Sequence, residues 1–218
     1  MPDFSILTNN IDMYLEGFKY TVMSSVIALI GSFILGIILA VMRIAPIRIL
    51  NWLGTAFVEF VRNIPLVLIA FIFYFALPVI GITLNGFVAG TATLTVYTAA
   101  FIAEVIRAGI LSVAKGQMEA ARSSGLTYVK AMYYVVLPQA MKIVIPPLGN
   151  QFLNLVKNSS ILGIIAGTDL MYQGDLISTK TFVTFDVYIF VGMFYLILTI
   201  PLSMLVRYLE KRLAKEAV

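Results

Sequence analysis

Charge is absent from this chain over two long stretches, and their lengths limit its fold more than any motif does. Tyr20 to Met42 is an uncharged run of 23 residues between Lys19 and Arg43. Asn63 to Ala103 is another, of 41 residues. A helix needs roughly 20 apolar residues to cross the hydrocarbon core of a bilayer. The first run therefore suits one crossing, and the second suits two joined by a turn. Pro78, Gly81, Asn85, Gly86 and Gly90 stand in the middle of the second run and supply that turn.

Composition agrees. Hydrophobic residues make up 61% of the chain and charged residues 12%, about half the fraction usual for a soluble domain. With a mean hydropathy of +0.98, an ordinary water-soluble globule is ruled out. The 218 residues hold five spans with connectors and leave no room for a large soluble domain. The expected fold is an all-α integral membrane protein, one transmembrane domain over residues 1–218. Its five transmembrane helices are expected near 20–42, 64–79, 91–113, 142–165 and 187–206, with a polar loop at 114–141.

Lysines and arginines of short loops gather on the cytoplasmic side of a membrane protein. On one side of the five-span arrangement lie Arg43, Arg48, Lys115, Arg122, Lys130, Lys142, Arg207, Lys211, Arg212 and Lys215. On the other lie only Lys19 and Lys180, beside Asp3, Asp12, Glu16, Asp169, Asp175 and Asp186. The expected N-terminus is outside and the C-terminus cytoplasmic. The net charge of +4 is then a property of membrane anchoring, with no nucleic-acid partner implied. Met1 to Gly17 carry three acidic residues and no basic one, the opposite of a secretory signal, so no cleavage is expected. Trp52 fits an interfacial aromatic belt. Histidine and cysteine are both absent. That excludes thiol catalysis, the usual zinc ligand sets, haem ligation by either residue, iron–sulfur clusters and disulfides.

The loop carries the most information. Gln117 to Ser124 reads as a short helix, and Gly125 follows where a helix terminus favours a left-handed residue. Thr127 can cap a second short helix from Tyr128 to Val136, which Pro138 is expected to stop. On physics alone this is equally an amphipathic connector resting on lipid headgroups.

Its string is more specific. Glu119-Ala120-Ala121 is followed after three residues by Gly125, and after nine more by Val135-Val136-Leu137-Pro138. This resembles the EAA motif of ABC importer permeases, with Val135 in place of Ile. Ala103-Glu104-Val105-Ile106-Arg107, Pro146-Pro147-Leu148-Gly149-Asn150 and Leu155-Val156-Lys157-Asn158-Ser159-Ser160 resemble the polar amino-acid uptake branch of that family. The likeness runs from about Phe57 to Asp175. Asn63 and Ile64 depart from it, standing where Gly and Thr commonly separate Arg from Pro.

The resemblance implies a type I ABC importer permease in a bacterial inner membrane. It implies a second permease copy or homologue, a cytoplasmic ATPase dimer, and an extracytoplasmic binding protein that delivers the amino acid. The loop would dock on the ATPase through Glu119, Ala120, Ala121, Gly125, Leu137 and Pro138. ATP-driven closure of the ATPase would rock the spans and alternate access. No G-x-x-x-x-G-K-[ST] phosphate loop occurs in the chain. ATP and magnesium are thus expected on the partner, with no cofactor held here and no catalysis by this chain.

Ionisable groups at membrane depth are costly and point to function. Glu104 lies well inside the third span, on one helical face with Tyr97, Phe101 and Ala108. It would either meet a cationic group of the substrate or form a structural ion pair with Arg107, Lys157 or Arg62. In span four, Asn150, Asn154 and Lys157 or Asn158 make a polar stripe that cannot face lipid. The stripe either lines the pathway or bonds neighbouring helices. Candidate substrate-binding residues are Glu104, Tyr97, Thr98, Asn63, Asn154, Lys157 and Asn158. Glu59 and Arg62, three apart, read as a local pair. The acidic outer face and Glu104 lean the expected substrate toward a basic amino acid. The alternatives are a partner-independent channel or secondary carrier, and a lipid-modifying enzyme. The second would need clustered carboxylates such as D-D-x-x-D, which the chain lacks.

Overall fold

The computed structural model describes residues 3–215, with side chains through residue 212. Met1, at the start of the stretch read for a signal, and the side chain of Lys215 lie outside the described residues. Ten α-helices run in chain order: α1 Phe4–Asn9, α2 Ile11–Ile44, α3 Arg48–Arg62, α4 Leu66–Phe71, α5 Gly86–Ser112, α6 Lys115–Ser123, α7 Tyr128–Ala131, α8 Leu137–Asn158, α9 Leu170–Thr181 and α10 Phe185–Lys215. No strand occurs among the described residues. Four helical stretches are long and apolar enough to cross a bilayer: α2, α5, Tyr128–Ile165 and Phe185–Arg212. A bent pair, α3 meeting the helix Leu66–Ile80 at 105°, brings the number to five where the pair counts as one crossing.

The centre of the bundle is α2 laid along α5. Neither helix can rely on a hydrophobic drive inside lipid, so close packing and internal hydrogen bonds hold them. Ala28, Leu39 and Ala40 of α2 and Ala99, Ala100 and Ala103 of α5 are all buried. At Gly36 a Cβ would stand 2.6 Å from Ile102 Cγ2, so glycine is what lets the two backbones approach. Along α5 the hydroxyls of Thr91, Thr93 and Thr95 donate to the carbonyls one turn back, at 2.7 to 2.8 Å. Each polar side chain is thereby satisfied within its own helix. α8 packs on the other flank of α5, and α10 packs on α8.

Several elements differ from the sequence-based expectation. The second crossing is not a straight helix over 64–79. Pro65 cannot donate a backbone hydrogen bond, and the chain turns sharply there. Beyond Phe71 it widens to a π-turn over Ile72–Ala76 and tightens to a 3-10 turn over Leu77–Ile80. α3 itself was not foreseen, although Trp52-Leu53, Phe57 and Phe60-Val61 recur at helical spacing. α5 begins at Gly86 instead of 91, capped by Asn85, whose Oδ1 accepts from Val88 N at 2.9 Å. Pro138 does not stop the helix after Thr127. A π-turn over Met132–Val136 carries the chain into α8, and Pro138 falls in its first turn, where a missing N–H costs nothing. The helix then runs through Pro146 and Pro147 as far as Asn158. The stretch 167–186, between the fourth and fifth expected spans, contains the three-turn helix α9. Asp169 caps it, accepting from Met171 N at 3.1 Å and Tyr172 N at 3.2 Å.

Candidate functional site

Glu104 faces arginines. Its Oε2 accepts from Arg43 Nη1 at 2.6 Å and from Arg107 Nε at 3.1 Å, and its Oε1 accepts from Arg107 Nη2 at 2.7 Å. Arg62 Nη1 stands 3.7 Å from Oε2. Glu59 completes the group, 3.1 Å from Arg43 Nη2 and 3.7 Å from Arg62 Nη1. The local Glu59–Arg62 pair is thus present, but as one edge of a larger network. Three elements bring these charges together: Arg43 closes α2, Glu59 and Arg62 lie on the last turn of α3, and Glu104 and Arg107 share a face of α5. Arg43 is the buried member, with its side chain 5% exposed. Its planar fork reaches two carboxylates at once, which a lysine ammonium could not do in the same geometry.

A polar cleft opens one turn along α5. Tyr97 and Phe101 of α5 form one wall, and Gln151, Asn154 and Asn158 of α8 form the other, around about 220 Å³. The two rings lie 4.9 Å apart. The Arg62 guanidinium stands 5.5 Å from the centre of Phe101's ring, so this aromatic links the cleft to the ion network.

The candidates therefore divide. Tyr97, Asn154 and Asn158 come together in the cleft, and Glu104 lies beside it in the network. Gln151, beside Asn150 on α8, joins the lining. Thr98 is buried and does not line the cleft. Asn63 donates from Nδ2 to the Glu59 carbonyl at 2.7 Å, tying off the end of α3. Lys157 is exposed and lines a different groove with Thr199, Ser203 and Arg207. The ion-pair partners of Glu104 among the described residues are Arg43, Arg62 and Arg107, and Lys157 is not one of them. Arg43 was missed because it lies 61 residues away on another helix, and nothing local signals such a pairing.

The loop forms a compact helix-turn-helix. Gly125 has φ +86°, and its N–H bonds the Arg122 carbonyl at 3.1 Å while Leu126 N bonds Ala121 O at 3.2 Å. This pair of bonds is the Schellman arrangement that closes a helix with a left-handed residue. Arg122 Nη1 donates to the Leu126 carbonyl, fixing the turn from outside. Glu119, Ala120 and Gly125 are exposed on the loop surface. Ala121 is buried, and Leu137 packs with Ile110 and Val136. Pro138 is exposed at the start of α8.

Residues 14–215 match the family described as binding-protein-dependent transport system inner membrane component. The chain is 69% identical over 211 residues to a probable glutamine ABC transporter permease protein of Bacillus subtilis, covering 97% of this chain and 98% of that one. It is 34% identical to a glutamine transport system permease protein of Escherichia coli, covering 97% of each. Among solved structures, a crystal structure of an amino acid ABC transporter with histidines superposes with a TM-score of 0.91 at 33% identity. That superposition covers 97% of this chain and 99% of the other.

Proposed function

Because the chain belongs to the inner-membrane permeases of binding-protein-dependent transport systems, we propose that it forms the pathway of an importer for polar amino acids. As an amino-acid ABC transporter permease it is a transport subunit of the inner membrane and not an enzyme. Transport of this class depends on an ATPase and a binding protein. In this reading two permease chains, or one with a homologue, enclose the route. The N-terminus is outside and the basic loop end is cytoplasmic. ATP and magnesium sit on the partner. The exposed Glu119-Ala120 face of α6 docks there, while Ala121 is turned inward and buried.

The observation that carries the reading is the cleft of Tyr97, Phe101, Gln151, Asn154 and Asn158. Its volume of about 220 Å³ falls below the roughly 300–1,000 Å³ of a complete small-molecule site. That suits one wall of a route completed by a second subunit. Its lining also speaks to the solute. Glu104 is committed to three arginines, so it offers little to a cation, and the lean toward a basic amino acid is left with the acidic outer face alone. Three carboxamides and a phenol instead suit a neutral, hydrogen-bonding side chain such as that of glutamine, the solute named for the two relatives above. Asn154→Leu and Asn158→Leu should each raise the glutamine concentration for half-maximal uptake about fivefold, the worth of one hydrogen bond near 1 kcal/mol. Unchanged uptake by both variants in an assembled transporter would remove the cleft from the route.

A further inference from the structure

A trough opens on the face of α5 opposite Tyr97 and Glu104. Phe33, Ile37 and Val41 of α2 form one side, with Ile106 and Ile110 at the base and Met141 of α8 opposite. It encloses about 370 Å³ and is lined wholly by apolar residues. Along α2 it runs from Phe33 to Ile44, and along α8 from Leu148 back to Leu137. Eleven steps at the helical rise give about 16 Å on either helix. That is close to half of the roughly 30 Å hydrocarbon core, the depth of one leaflet.

The end of the trough at Ile44, Ile110 and Met132 joins a second cleft of about 360 Å³, which shares those three residues. Arg43, Arg107 and Lys115 line this mouth. The network behind it sets three arginines against two glutamates, leaving one positive charge uncompensated. Lys115 adds another. Arg43 is 7% exposed, and although its two Nη atoms are taken, its buried Nε has no hydrogen-bond partner.

We propose that mouth and trough together hold one anionic phospholipid, its phosphate beside Lys115 and the Arg43 guanidinium and an acyl chain along the trough. A free phosphate would leave the trough empty. A zwitterionic lipid would bring a cation to a mouth that already carries two positive charges. The bound lipid bridges α2, α5 and Met132, where the loop helix widens into its π-turn. It thereby props the joint between the loop and α8.

The test is native mass spectrometry of the full chain in mild detergent, titrated with phosphatidylglycerol, phosphatidylcholine and inorganic phosphate. One phosphatidylglycerol per chain should survive collision energies that strip phosphatidylcholine, and inorganic phosphate should add nothing. Lys115→Gln, at an exposed residue outside the Glu104 network, should weaken retention about fivefold, the worth of one lysine near an anionic surface. Ile37→Trp should block the trough and abolish retention, with an unchanged helical circular dichroism spectrum showing that the chain still folds. Equal retention of the two lipids, phosphate bound as well as lipid, or both variants retaining as much lipid as the parent would each overturn the proposal. So would Ile37→Trp splitting a permease dimer, which would assign the trough to a second copy.

Discussion

Glu104 is held by three arginines drawn from three helices, Arg43 of α2, Arg62 of α3 and Arg107 of its own α5. An acidic side chain well inside a membrane span marks a costly site, and Arg107 three positions on is a natural partner. Arg43 carries the shortest contact, yet only the packing of α2 on α5 brings it there. Removing one member of a buried pair leaves the other charge uncompensated. Glu104→Gln should therefore lower stability by on the order of 3 kcal/mol, because Arg43 stays buried. Thermal unfolding in detergent should show that loss, while affinity for a neutral solute changes little. A variant as stable as the parent but altered in solute choice would contradict this. Asp169 gives the second prediction. Burial pushes its carboxyl up to about 7, against the pull of the Met171 and Tyr172 N–H groups, and neighbouring Asp175 adds to the rise. The unfolded chain ionises this group near pH 4, so native stability is highest below that value, falls as pH rises toward 7, and levels beyond it. Asp169→Asn keeps an N-cap acceptor and removes the titration. The parent should lose up to about 4 kcal/mol between pH 4 and 8 that the Asn variant does not. Parallel unfolding profiles for the two proteins would count against the buried cap as the cause.

Among the elements, the loop was the most legible and the second crossing the least. A glycine after a short amphipathic run and a threonine ahead of the next helix are local signals, and the φ of +86° at Gly125 and the Thr127 cap follow from them. Gly125→Val would force a β-branched residue into the left-handed region, a cost of at least about 1–2 kcal/mol. Co-purification should then show weakened binding of the ATPase subunit with the spans intact, and undiminished association would separate the turn from docking. Pro138 misled because a proline reads as a stop. In the structure a π-turn ahead of it shifts the hydrogen bonding so that the proline lands in a first turn. α3 was passed over for a related reason. Its charged residues interrupt the apolar runs used to count crossings, although its aromatic residues repeat with helical period.

For the whole molecule, the apolar stretches able to cross, four long helices and one bent pair, were readable from charge spacing, since each run must match the bilayer. Their shapes were not. The 105° break after α3 places Glu59 and Arg62 beside α5 and builds the network from three separate chain segments. The cleft likewise needs α5 against α8, a pairing that no stripe on one helix reveals. Both arise from packing, and packing leaves only small residues such as Gly36 as its trace in the sequence. In the proposed function this chain is a passage driven by another subunit. The most direct test is uptake of radiolabelled glutamine into proteoliposomes holding the chain, its ATPase and the amino-acid-binding protein. We expect accumulation that requires ATP and disappears when either partner is omitted; uptake of equal rate by the chain alone, without ATP, would contradict it.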